Sequence, residues 1–373
     1  MKIRFPAYFK MIIVLLGMVL IVTIMREAKA ILVPILISGL LAILVSPVTS
    51  WLESKRIPSA IAVIISLIVL LLVLFGAVYF FYNQILMFSR DLSTLENRVG
   101  ELVLSINRFI AENFEGTVPI SIESIKNTIF QHLYDNMATL TQGIITTAGT
   151  LTMVFIMPVY IFLFLFYRKF LSEFFKRAFG DHNRDKVAKV LGKVKDVVKN
   201  YIIGMFVVIC ILAVLNSIAL FSLGIRHAML FAVFAALLNV IPFLGPFLGA
   251  VFPILFALLT KDSLWYPFGV FLAFYVIQLM ESNLFTPKIV GGKVSMNPLM
   301  TIIALFVGNF IWGLAGMVLF IPGMAILKVV FDEIEGMEAY GFLLGTVKKD
   351  FDRSPSERHE PKLLSEIKRK LKF

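Results

Sequence analysis

Cysteine is almost absent from this chain. Cys210 is the only one, and it lies in an apolar run. That excludes a disulfide framework and any cysteine-built metal cluster. Charge is scarce too: 16% of 373 residues, against roughly 25% in an ordinary soluble domain. Histidine occurs four times, at His132, His182, His227 and His359, too scattered for metal-ligand spacing. Around Gly292 and Lys293 the upstream glycine and the following hydroxyl residue of a phosphate loop are missing. No catalytic triad or paired-carboxylate arrangement is present, so the reading calls for no enzyme activity, no cofactor and no metal.

What is abundant is apolar surface, at 59% of residues with a mean hydropathy of +0.90. A soluble fold of this size leaves much of its chain in water and cannot hide that much. The partner demanded is therefore a lipid bilayer. Since about 20 apolar residues cross the hydrocarbon, the runs read as 11–25, 31–52, 59–82, 150–167, 201–222, 228–260, 264–281 and 299–331. Ala28 and Ala30 have cleavage-site spacing, but Arg26, Glu27 and Lys29 crowd them and further apolar runs follow. The first run therefore reads as a transmembrane helix. The expected fold is all-α and polytopic, with about six to eight transmembrane helices.

The formal net charge of +11 invites a nucleic-acid reading, so its distribution matters. Basic residues crowd the N-terminus, the turn at Lys55 and Arg56, the segment 168–200 and the tail after Lys348. Segment 83–149 is acidic on balance: Arg90, Arg98, Arg108 and Lys126 face seven Asp and Glu residues. Basic loops stay cytoplasmic, so both termini are expected inside and 83–149 outside. No basic patch is interleaved with stacking aromatics outside the spans, which excludes nucleic acid as the partner. Segments 184–200 and 361–372 are expected to lie against anionic headgroups.

These runs divide the chain into N-terminal helices (1–82), an extracytoplasmic segment (83–149) and a helix with a basic cytoplasmic segment (150–200). A transport core (201–331) and a basic tail (332–373) follow. Within the core, runs 228–260 and 299–331 are too long for one crossing and too short for two comfortable ones. Each has an apolar helix, an Asn, a Gly-rich break and a second apolar helix. The first carries Asn239, Pro242, Gly245, Pro246 and Gly249; the second carries Asn309, Gly313 and Gly316. Parity requires each to return to its starting side, as a helical hairpin or a pair of short spans. Each follows one plain span, and they enter from opposite sides. Segments 201–260 and 264–331 thus have the layout of an inverted-topology repeat, which in secondary transporters frames a midplane site.

Polar groups in lipid are costly and mark function. In this half they are Asn216, Ser217, Asn239, Gln278, Glu281, Asn283 and Asn309. Glu281 is the one carboxylate near the end of a long apolar run here. It suits proton coupling, or else pairs with Lys288 at headgroup level. The asparagines serve a solute or act as interhelical glue. His227, in a short outer turn with Arg226, reads as a surface residue.

The outer segment 84–113 repeats apolar residues at Ile85, Phe88, Leu92, Leu95, Val99, Leu102, Ile106 and Phe109 in steps of three and four. That is a heptad seam. Gly116 and Pro119 break it, and Ser121 can cap a second helix, giving an amphipathic helical hairpin. Its seam needs a partner, either within the subunit, on the membrane, or in a homo-oligomer.

The assembled residues resemble the autoinducer-2 exporter family of bacterial inner-membrane transport proteins. Ile241, Pro242, Gly245 and Pro246 match its Ile-Pro-x-x-Gly-Pro signature. Glu281, Asn283, Pro287, Ile289 and Gly291 resemble its Glu-Asn-Asn-x-x-x-Pro-x-Ile-x-Gly motif, with Ser282 in place of the first Asn. Met296, Asn297, Pro298, Gly313, Gly316, Ile321 and Pro322 fit the segment that follows, and Pro34, Ser46 and Pro47 fit the start. The resemblance runs to about residue 345. It implies export of a small solute, autoinducer-2 for some members and sodium or proton antiport for others. With no nucleotide motif, an ion gradient or downhill flow would drive it. The expected pathway residues are Asn239, Pro242, Gly245, Pro246, Gly249, Glu281, Asn283, Thr286, Pro287, Asn309 and Gly313. A passive oligomeric channel is the competing class.

Overall fold

The computed structural model describes residues 6–113, 121, 131, 148–178, 184–290 and 296–345. The second outer helix expected after Ser121 and the basic tail lie outside the described residues. Helices α1 (Ala7–Glu27), α2 (Lys29–Ser54) and α3 (Ser59–Asn113) open the chain. Then come α4 (Ala148–Phe166), α5 (Arg168–Ala178) and α6 (Arg184–Ser222). The first hairpin is α7 (Ala228–Leu238) with α8 (Leu244–Thr260). Helix α9 (Trp265–Met280) leads into a wider-wound segment, Glu281–Val290. The second hairpin is α10 (Pro298–Trp312) with α11 (Leu314–Glu333), and α12 (Glu338–Leu344) closes the described chain. Five of these helices are long and apolar enough to cross a membrane, or six if α4 and α5 form one span bent by 66°. The fold is an all-α polytopic membrane protein.

The third span and the outer heptad segment are one helix, α3, of 55 residues. At about 1.5 Å per residue it reaches roughly 80 Å. Nothing between Tyr82 and Arg90 breaks a helix, and the boundary expected at residue 83 does not interrupt the backbone. The 200/201 division likewise falls inside one helix, α6.

Two apolar assemblies carry the packing. Val45, Val63, Leu70, Ile161 and Leu165 join α2, α3 and α4. Tyr201, Val208, Leu212, Ala236, Val290, Leu305, Met317 and Ile321 join α6, α7, the segment after α9, α10 and α11. This second cluster holds the core helices around the midpoint of α6.

The hairpins are built by glycine contact. A Cβ on Gly316 would lie 1.9 Å from the carbonyl oxygen of Gly308, and one on Gly245 would lie 1.8 Å from that of Leu238. Only hydrogen fits at either point, so the two legs of each hairpin touch backbone to backbone. At the second tip, Gly313 has φ +66 and ψ −142, a region open essentially to glycine alone. Asn297 caps α10 by accepting from the Leu299 amide at 3.0 Å, and Pro298 takes the first helical position, where its missing N–H costs nothing.

The hairpins differ in reach. Ser217 meets Met229, and Ala236 packs on Val208 and Leu212, so α7 runs back along α6 and stops opposite its middle. Eleven residues rise about 16 Å, half of the hydrocarbon. By length α7 alone falls short of a full crossing. In the second, the indole N–H of Trp312 donates to the carbonyl oxygen of Met25 at 2.7 Å, placing its tip against the end of α1. The two halves share element order and glycine contacts but differ in length.

Where the first hairpin begins, His227 is not a surface residue. Its side chain is 10% exposed, between the rings of Phe88 and Phe256, with Nε2 2.9 Å from the Asp91 carboxylate. Leu95 is buried in the same cluster with Phe231, Ala235 and Phe274, and Phe88 and Val99 pack on it. Half of the heptad seam is thus filled within the subunit. Further out, Leu102 and Ile106 remain exposed.

Candidate functional site

Glu281 ends α9, and there the helix widens. Pro287 lacks an N–H, and in α-helical winding its ring would collide with the carbonyl of Asn283. The segment Glu281–Val290 winds instead as a π-helix, whose i to i+5 bonding gives the ring room. The wider winding aligns residues five apart. In an α-helix they would stand about 140° around the axis from each other. Here the Thr286 hydroxyl donates to Oε1 of Glu281. The Ser282 hydroxyl donates to Oε2 at 3.0 Å, and the Gln278 amide donates to the same oxygen at 2.8 Å.

Glu281 is buried, with 8% of its surface exposed. Three uncharged donors hold it, and among the described residues it makes no ion pair. Lys288 lies on the exposed face, so the headgroup-level pairing that the sequence allows does not form. Close packing fixes the segment: a Cβ on Gly204 of α6 would meet the Val290 backbone at 3.0 Å.

Beside this carboxylate is a cavity of about 270 Å³ between α6, α7, α8 and α9. Its walls are mostly apolar: Leu212, Ala235, Phe247, Ile254, Phe274 and their neighbours. Three carboxamides interrupt them, Asn216, Asn239 and Gln278, one each from α6, the first hairpin and α9. Asn216 and Asn239 are buried, and Oδ1 of Asn216 has no hydrogen-bond partner. An orphaned buried carbonyl costs about 1–3 kcal/mol. Gln278 both lines the cavity and bonds Glu281, so it connects the two. Next to the cavity, Phe243 sits at φ +66 in the hairpin break, a strained conformation for a side-chain-bearing residue of a kind that clusters at ligand sites.

Of the expected pathway residues, the structure brings Asn239 and Pro246 to the cavity, and Glu281 and Thr286 to each other. Gly245 and Gly249 serve the hairpin contact, and Pro242 lies in its break. Pro287 acts through the π-helix. Asn283 is exposed and its amide donates back to Leu279 at 2.8 Å, away from the cavity. Asn309 is exposed too, and with Gly313 it belongs to the other hairpin's tip near α1. Asn216, Gln278 and Ser282 complete the site although the expected set omits them. A lone amide inside an apolar run was the available signal for Asn216.

Apolar helices of spanning length, with a buried carboxylate and a cavity among them, mark a multi-pass membrane protein. The chain belongs to the AI-2E family of transporters, whose family model matches residues 9–336. It is 26% identical over 309 residues to YrrI of Bacillus subtilis strain 168, whose name marks it as a candidate transport protein. That match covers 81% of this chain and 86% of YrrI. A candidate transport protein of Haemophilus influenzae is 25% identical over 345 residues, with 90% and 96% covered. The AI-2 transport protein TqsA of Escherichia coli K12 is 20% identical over 340 residues, with 91% and 96% covered.

Proposed function

We propose that the chain is a secondary exporter of a small hydroxyl-rich solute, of which autoinducer-2 is the example its family offers. The cavity holds the solute and Glu281 couples its movement to protons. The observation that carries this reading is the set of three carboxamides, Asn216, Asn239 and Gln278, in the otherwise apolar lining of the cavity. Carboxamides both donate and accept, which matches hydroxyl groups. A solute hydroxyl that bonds Asn216 removes the cost of its empty carbonyl. Gln278 relays the event, since the same side chain donates to Glu281. The similarity to TqsA, named for AI-2 transport, supports the choice of solute.

The oxygens gathered at Glu281 favour a second reading, sodium or proton antiport, in which the carboxylate with Thr286 and Ser282 receives the cation. Both readings place the chain in a bacterial inner membrane with cytoplasmic termini, as its basic loops require. Both use the two hairpins as the frame of an inverted repeat. The exposed outer part of the heptad seam, at Leu102 and Ile106, serves a homo-oligomer.

Purified protein in liposomes tests these readings. Saturable autoinducer-2 flux that follows an imposed pH gradient supports the exporter. Sodium-driven proton movement without solute flux favours the antiporter, and large flux that does not saturate would sink both in favour of a channel.

A further inference from the structure

A second cavity, of about 870 Å³, lies between α2, the α4–α5 bend and the first half of α6, and shares no lining residue with the first. Its two walls are chemically opposite. Ala42, Ile43, Phe164 and Leu165 make an apolar side. Arg168, Lys169, Lys176, Lys195 and Lys199 make a basic one, against the single carboxylate of Glu173.

Internal ion pairs leave most of that positive charge uncompensated. Arg168 is taken by Glu53. Glu173 is shared among Lys176 at 4.0 Å, Arg177 at 3.1 Å and Arg184 at 2.7 Å. Among the described residues, Lys169, Lys195 and Lys199 make no ion pair. Lys195 and Lys199 stand one helical turn apart on α6, facing the same cavity. Like charges held together repel, and an anion between them relieves the repulsion.

The bend fixes the depth of the cavity. Helix α5 leaves α4 at 66° and is amphipathic, with Phe170, Phe174 and Phe175 exposed and basic residues at both ends, Arg168 and Lys169 at the start and Lys176 and Arg177 at the finish. Such a helix lies along the membrane surface with its rings in the acyl boundary. That sets the basic wall at headgroup level and the apolar wall below it. Basic pockets between transmembrane helices on the cytoplasmic side suit lipid phosphates.

We propose that this cavity is a specific binding site for a phosphate anion presented by an anionic phospholipid, with the headgroup at Lys169, Lys195 and Lys199 and an acyl chain along Phe164 and Leu165. The site is separate from the transport cavity and does not depend on which solute is carried. A free phosphate shares the headgroup chemistry but gains nothing from the apolar wall.

The test uses the full-length protein, delipidated in detergent and titrated with fluorescent phosphatidylglycerol. Saturable binding is expected, displaced by unlabelled phosphatidylglycerol but not by phosphatidylcholine or by millimolar inorganic phosphate. The double variant Lys195→Gln, Lys199→Gln is expected to weaken binding about tenfold or more, since each lysine near the headgroup contributes. A control pair, Lys186→Gln with Lys193→Gln, removes equal charge from α6 outside the cavity and should leave binding within about twofold, by the same per-lysine reasoning. Size-exclusion profiles report whether each variant is folded. Displacement by inorganic phosphate at concentrations equal to the lipid would overturn the lipid assignment. Equal losses in the two double variants would overturn the site, because diffuse charge would then explain the binding.

Discussion

Gln278 stands between two chemistries: its side chain lines the amide cavity, and its Nε2 lies 2.8 Å from Oε2 of Glu281. A solute that drew the Gln278 amide toward itself would loosen one of three donors on a buried carboxylate. Losing a hydrogen bond to a charged group costs about 1.5–3 kcal/mol, so a solute would act on the carboxylate through this one side chain. Coupling of solute to proton needs no longer path than this side chain.

Glu281→Gln keeps the shape and a hydrogen-bonding head but removes the ionisable group. We expect folded protein whose remaining flux no longer follows an imposed pH gradient. The pH profile of liposome flux is the measurement. A profile unchanged from wild type removes Glu281 from the coupling step.

Asn216 should trade stability against transport. Replacing it with Leu removes the orphaned carbonyl and fills a similar volume. We expect a gain of about 1 kcal/mol in detergent unfolding and a loss of most solute flux. If stability and flux fall together, Asn216 is ordinary packing and the cavity is not the solute site.

Gly316→Ala must push the legs of the second hairpin apart, because the new methyl would enter the Gly308 carbonyl. Overpacking of this kind costs about 1–3 kcal/mol or more. Gly323→Ala lies on the same helix with no heavy atom within 4 Å of the added carbon. It should be neutral or stabilising by about 0.5–1 kcal/mol. Melting temperatures of the pair decide the matter, and equal values would contradict the backbone contact.

The outer seam separates two roles on one helix. Leu95→Asp buries a charge in the core of the first hairpin and should lower the melting temperature. Leu102→Asp with Ile106→Asp changes exposed positions. It should leave melting unchanged but lower the particle mass in light scattering. An unchanged mass would leave those residues without an oligomeric role.

The helices themselves were legible, because long apolar runs have no other solution in lipid. So were the hairpin breaks, since Gly313 and the stretch around Pro242 and Gly245 cannot continue a helix. What composition concealed was continuity and register. The boundary expected at residue 83 leaves no mark on the backbone, since α3 runs through it. Asn239 and Glu281 were visible as polar residues in apolar runs, and their burial follows. Asn283 and Asn309 carry the same signal but turn outward, a matter of helical phase that only packing decides. The π-winding was hidden: Pro287 hints at a disturbed turn, but the alignment of Thr286 with Glu281 appears only once the turn widens. His227 became interior because Phe88 and Asp91, far earlier in the chain, close over it.

The length of α3 has a mechanical consequence. Its lower half lies among the membrane helices, and Asp91 ties its middle to Arg226 and His227 where the first hairpin begins. The helix is held at three levels: Val63 and Leu70 pack on α2 and α4, Asp91 is tied to the start of the first hairpin, and Leu95 is buried against that hairpin. Anything that grips its far end therefore loads the start of the first hairpin through Asp91 and Leu95.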